Sequence, residues 1–259
     1  MNLRPERDRY VPLVTLNRHT SSRPAGTGRR ALLRAAVAGT AAAGAAMTLG
    51  TSSATAAPPA MATSTPRTPG EALRELAAGN RRWRTFQQGH PHETPYVRQS
   101  LASGQHPFAV VLGCIDSRVP PELVFDQGLG DLMTVRSAGG VLDEAVLGSI
   151  AYGVLELGVP LILVLGHQSC GAVSAAVRAD ETGERLPRHI QYVADEIRPA
   201  IDHSRHGDAR IDSTITRNVG MIRTRLAAEP DLADRVGTGK LAIVGARYEL
   251  HSQRVHTIT

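Results

Sequence analysis

Two apolar runs, Phe108–Leu112 and Val159–Leu165, constrain this 259-residue chain more than any other feature. Each has the length of a strand and is almost wholly hydrophobic, as expected of strands buried on both faces. Two further strands are expected over 131–135 and 241–246, and patterns with helical spacing separate the four: 142–158, a helix starting at 172–179, 186–204 and 210–228. Near-continuous apolar strands alternating with helices predict an α/β fold, a three-layer α/β/α domain on a mostly parallel sheet. Four strands are expected to be parallel, with a short C-terminal strand added at 254–258. Upstream, Thr68-Pro69-Gly70-Glu71 has the form of a capping box and opens a helix to about Gln87; a short helix follows at 96–103. These form an N-terminal helical arm, expected outside the main sheet or against a partner chain. The folded domain is therefore placed at 68–259.

Residues 1–56 have a different composition. An arginine-rich lead ends in Arg29-Arg30-Ala31-Leu32-Leu33-Arg34, an alanine-rich segment runs to Leu49, and Ala54-Thr55-Ala56 has the form of a cleavage site. This order resembles a twin-arginine export signal, which implies passage through the twin-arginine machinery and a secreted or extracytoplasmic mature protein. Ala and Gly dominate the segment, a poor composition for a permanent membrane span. Residues 57–67, with three prolines, read as a linker. Eight of the 29 basic and two of the 24 acidic residues fall in 1–56, leaving 21 against 22 in the remainder. The basic balance thus belongs to the leader, and nucleic-acid binding is disfavoured.

Both strand-length runs close on glycine and then deliver polar residues. After Gly113 come Cys114, Asp116 and Arg118; after Gly166 come His167 and Cys170, the second of only two cysteines. In parallel sheets, ligands bind beyond the carboxyl ends of strands. If the two strands are neighbours, Cys114, His167 and Cys170 converge as a Cys₂His set that suits one Zn²⁺ with a fourth position open. In an exported protein the cysteine pair also reads as a disulfide, and His167 alone as a loop histidine. A carboxylate two residues from a ligating cysteine would accept a hydrogen bond from zinc-bound water or ligate the metal, and Arg118 would hold it ionised.

The pattern C-x-D-x-R followed about fifty residues later by H-x-x-C resembles the β-class carbonic anhydrases. So do Ser117, Val119-Pro120, Glu122, Gly130-Asp131-Leu132, Arg136, Ala138-Gly139 and Gly166-His167-Gln168-Ser169-Cys170-Gly171. The resemblance implies reversible hydration of carbon dioxide to bicarbonate by zinc-bound hydroxide. Cys114, His167 and Cys170 would be the metal ligands, and Asp116 and Arg118 the catalytic pair, with Asp116 a fourth ligand in a closed state. Gln105 would contact substrate. It further implies a homodimer or higher homo-oligomer with the active cleft near the dimer interface. Ser137 and Gly140 depart from the family's usual Asn-Ala-Gly-Asn. Val111 stands where bicarbonate-regulated members carry tryptophan. Two alternatives stay open: hydrolysis of carbon disulfide or carbonyl sulfide on the same fold, and a non-catalytic zinc or disulfide-stabilised binding protein.

Overall fold

The computed structural model describes residues 65–258, so the export signal and most of the linker lie outside the described residues. Helix α1 (Pro69–Arg84) starts at the expected capping box, in which Thr68 Oγ1 accepts from the Glu71 N–H at 3.3 Å and Glu71 Oε2 accepts from the Thr68 N–H at 3.0 Å. Expected outside the main sheet or against a partner chain, α1 lies outside the sheet and packs on one of its faces. Ala72 and Leu76 are buried in the same cluster as Val111 and Leu163. Burial within one chain needs no partner, and each fully buried aliphatic side chain contributes about 1.5–3 kcal/mol. Helix α2 (Pro95–Ser100) and the 3₁₀ turn Leu101–Ser103 contain no buried residue.

Five strands form one sheet: β1 (Ala109–Cys114), β2 (Leu132–Ser137), β3 (Leu161–His167), β4 (Ala242–Tyr248) and β5 (Val255–Ile258), in the order β2-β1-β3-β4-β5. The first four are parallel, as the sequence predicts, and the added C-terminal strand β5 runs antiparallel to β4. The chain leaves β1 for one side and returns through β3 on the other. The strand order therefore reverses beside β1, where parallel sheets bind ligands. The β1–β3 register pairs Gly113 with Leu165, which brings Cys114 level with the end of β3.

Side chains alternate between two cores. Val110, Leu112, Ile162 and Val164 face helices α4 (Glu144–Leu155), α7 (Gly207–Ala228) and α8 (Pro230–Gly237). Val111, Leu161, Leu163 and Leu165 face α1 and the short α3 (Pro121–Val124). Helix α7 buries Ile215, Val219, Ile222 and Leu226 along one stripe. A third cluster joins Cys114 and Cys170 to α5 (Gly171–Thr182) and α6 (Arg188–Ile197). The helix expected over 186–204 is shorter than that. It ends at Ile197: Pro199 has no N–H to donate back into the helix, and the chain tightens into a 3₁₀ turn, Arg198–Ala200. No helix among the described residues is long and apolar enough to cross a membrane.

Candidate metal centre

Cys114 is the last residue of β1 and His167 the last of β3, while Cys170 caps the N-terminus of α5. Their ligand atoms lie within 4.8 Å of one another, and all three residues are buried. Ser169, in the left-handed region at φ 56°, makes the turn that returns Cys170 toward β1. The two thiols are free, with Sγ atoms 3.9 Å apart. A disulfide would require about 2.05 Å. Two sulfurs at ~2.3 Å from one tetrahedral ion would stand about 3.8 Å apart, close to what is found.

His167 points to the same conclusion. Its Nδ1 lies 2.9 Å from the Gln168 carbonyl, which fixes the proton there, and its buried Nε2 has no hydrogen-bond partner. A histidine that donates one ring N–H to a carbonyl and leaves the other nitrogen bare is the usual arrangement of a metal ligand. The sulfurs are electronically unequal. Cys114 is lowered to about 4, first by the hydrogen bond from Cys170 and further by the Gly139 N–H, against its burial. Cys170 is pushed up by that same hydrogen bond and by burial, with opposing help from the first N–H groups of α5.

Beside this set, Asp116 and Arg118 form a bidentate pair: Nε to Oδ1 at 2.9 Å and Nη2 to Oδ2 at 2.7 Å, with the Arg118 N–H also on Oδ1 at 3.0 Å. Hydrogen bonding from Arg118 is the main cause that lowers the Asp116 carboxyl to about 2. Asp116 Oδ2 stands 3.9 Å from His167 Nε2, so the carboxylate faces the ligand set while held by arginine. Arg118 Nη2 also reaches the Ser169 carbonyl at 3.3 Å and ties the two strand-end loops together.

Three contributors were not assigned roles from sequence. Arg136 of β2 donates to the carbonyls of Cys114 at 2.9 Å and Asp116 at 2.7 Å and clamps the loop after β1. Gly139 donates its N–H to Cys114 Sγ at 3.3 Å, and Asn218 of α7 holds the Gly139 carbonyl at 3.0 Å. Arg136 and Gly139 stand among the residues that carry the family resemblance; no local signal marks Asn218. Gln105 is not brought to the site within its own chain. It is exposed on the segment before β1, and Cys114 ends that strand, five residue steps or roughly 17 Å beyond its first residue, Ala109.

A doubly covered, mostly parallel sheet with two cysteines and a histidine converging at its switch point defines an α/β protein whose site could hold a metal ion. The comparisons narrow that class. A family model described as carbonic anhydrase matches residues 109–255. Carbonic anhydrase 2 of Mycobacterium tuberculosis is 43% identical over 188 residues, 72% of this chain and 91% of the relative. The carbonic anhydrase of Mycolicibacterium smegmatis is 43% identical over 192 residues, 72% and 92% respectively. Among solved structures, a tetrameric β-carbonic anhydrase of Sordaria macrospora superposes with a TM-score of 0.59 at 20% identity, covering 72% of this chain and 96% of that one. A β-carbonic anhydrase of Coccomyxa gives 0.58 at 24% identity, covering 72% and 86%. This chain belongs to the carbonic anhydrase family, and its fold is that of the β-class members.

Proposed function

We propose that this chain is a zinc-dependent carbonic anhydrase that interconverts carbon dioxide and bicarbonate. The observation that carries the reading is the unpartnered His167 Nε2 beside two free sulfurs, with an arginine-held carboxylate next to it. Cys114, His167 and Cys170 would hold one zinc per chain. Bound there, zinc supplies Lewis-acid activation of water at neutral pH. Asp116, held ionised by Arg118 on both oxygens, would accept a hydrogen bond from a water at the site and orient it. Arg118 adds positive charge where bicarbonate forms. These roles fit the donor set, and a purely structural Cys₂His site would need neither Asp116 nor Arg118.

The assembly we propose is a homodimer or larger. A substrate contact from Gln105 cannot come from the same chain, because β1 separates the two, so it would reach the site of a second copy. We also propose export through the twin-arginine route, on the strength of residues 29–34 and 54–56.

The test is zinc content together with carbon dioxide hydration on the mature form, alongside Cys114→Ser. We expect about one zinc per chain and hydration that Cys114→Ser abolishes. A metal-loaded protein inactive on carbon dioxide but active on carbon disulfide or carbonyl sulfide would replace this reading; inactivity on all three would reduce the site to a structural one.

A further inference from the structure

Asn218 lies on the buried stripe of α7 at 3% exposure, between the apolar Ile215 and Ile222. Its Nδ2 donates to the Gly139 carbonyl at 3.0 Å, whereas its Oδ1 is buried with no hydrogen-bond partner among the described residues. The Gly139 oxygen settles which end of the amide faces it, since two carbonyl oxygens would repel at that distance. Leaving one end of a buried amide unsatisfied lowers stability, and an aliphatic side chain would avoid that penalty. The amide is therefore explained by what its other end holds.

Gly139 needs such a holder. It adopts φ +67° in the left-handed region, and a Cβ there would approach Ile197 Cδ1 to 2.8 Å, so no side chain can anchor the residue. Its backbone is fixed from two directions, the carbonyl by Asn218 and the N–H by Cys114 Sγ at 3.3 Å. A cavity of about 20 Å³ adjoins Gly139, Asn218, Cys114, His167 and Cys170, so the Gly139 peptide and the ligand set border one small space.

We propose that Asn218 is a positioning residue of the metal site, holding Gly139 so that its N–H stays on the Cys114 sulfur. The proposal rests on Cys114 being a metal ligand, as proposed above. Hydrogen bonds to a coordinating thiolate withdraw electron density from it, and such outer contacts tune both metal affinity and metal electronics. Asn218 touches neither substrate nor metal; it acts through one peptide group.

The experiment uses the intact protein loaded with cobalt(II), whose thiolate-to-metal charge-transfer band reports the electron density on sulfur without any turnover. Zinc loss to a chelator is measured in parallel. Asn218→Leu removes the amide and keeps an apolar stripe; Asn218→Ser, too short to reach Gly139, serves if the leucine variant does not fold. Ile222→Val loosens the same helix face while leaving the amide in place. We expect both Asn218 variants to displace the band to lower energy and to speed zinc loss roughly 10-fold or more, with Ile222→Val matching the wild type. A band and a zinc-loss rate unchanged in the Asn218 variants, or changed equally by Ile222→Val, would overturn the role of Asn218 alone. Absence of any thiolate–cobalt band in the wild-type protein would overturn the ligand set and this inference with it.

Discussion

Arg118 occupies both carboxylate oxygens of Asp116, at 2.9 and 2.7 Å, while Asp116 Oδ2 stays 3.9 Å from the bare nitrogen of His167. The pair thus presents a fixed acceptor to the ligand set and withholds it as a ligand. The arginine lowers the carboxyl to about 2. Because the folded value is depressed, the pair's contribution is complete above the ordinary aspartate value of about 3.9 and is lost only as pH falls toward 2. Asp116 is therefore charged at every pH at which the enzyme would be assayed.

From this pair we expect Arg118→Ala to lower kcat/KM for carbon dioxide roughly 10–100-fold with zinc content unchanged. Arg118→Lys should recover little, since a single ammonium cannot reproduce the two-pronged grip. Full activity in the lysine variant, measured by stopped-flow hydration, would show that charge alone suffices.

Metal uptake should release protons in a predictable way. In the metal-free site Cys114 is lowered to about 4 and Cys170 is raised, so at neutral pH the pair shares about one proton, on the Cys170 side. Zinc binds thiolates and must expel that proton. Titration calorimetry in buffers of different ionisation enthalpy should report about one proton released per zinc, with affinity rising as pH rises. At a free zinc concentration ~100 times Kd, binding adds about 2.7 kcal/mol of stability, which at about 2–4 °C per kcal/mol is readable as a raised Tm.

The strands and the three proposed ligands were legible in the sequence because a parallel strand buried on both faces cannot avoid a continuous apolar run. The polar residues closing two such runs then stand out. Strand order was not legible: nothing local in Phe108–Leu112 says that it pairs with Leu161–His167, and only that pairing unites Cys114 with His167 and Cys170. The packing of α1 on its own sheet was hidden for the same reason, since an apolar stripe shows that a helix buries a face without saying against which chain. Asn218 was invisible because its role depends on a loop 79 residues earlier in the chain.

Packing of α7 above the site sets a stability prediction. Gly166 immediately precedes His167, and a Cβ there would meet Val219 Cγ2 at 2.5 Å. Gly166→Ala should cost about 1–3 kcal/mol in chemical denaturation by overpacking. Val219→Ala removes the clashing methyls, so the double variant should be less destabilised than the sum of the two single changes. Additive losses would mean that the glycine is required for another reason.

The separation of Gln105 from Cys114 by the length of β1 yields a complementation test. A chain bearing Cys114→Ser lacks a metal ligand but carries an intact Gln105; a chain bearing Gln105→Ala has the opposite lesion. If Gln105 serves the site of a second copy, a mixed dimer contains one complete site, built from the ligands of one chain and the glutamine of the other. Random reassociation of equal amounts makes half of the dimers mixed, so about a quarter of the wild-type sites should be restored. If the glutamine acted within its own chain, every site in the mixture would keep a lesion and no activity would return. Co-refolding the two variants and assaying hydration against each alone decides between these outcomes, and light scattering on the same samples verifies that hybrids can form. Recovery would assign Gln105 to the neighbouring site and make the oligomer part of the catalytic unit.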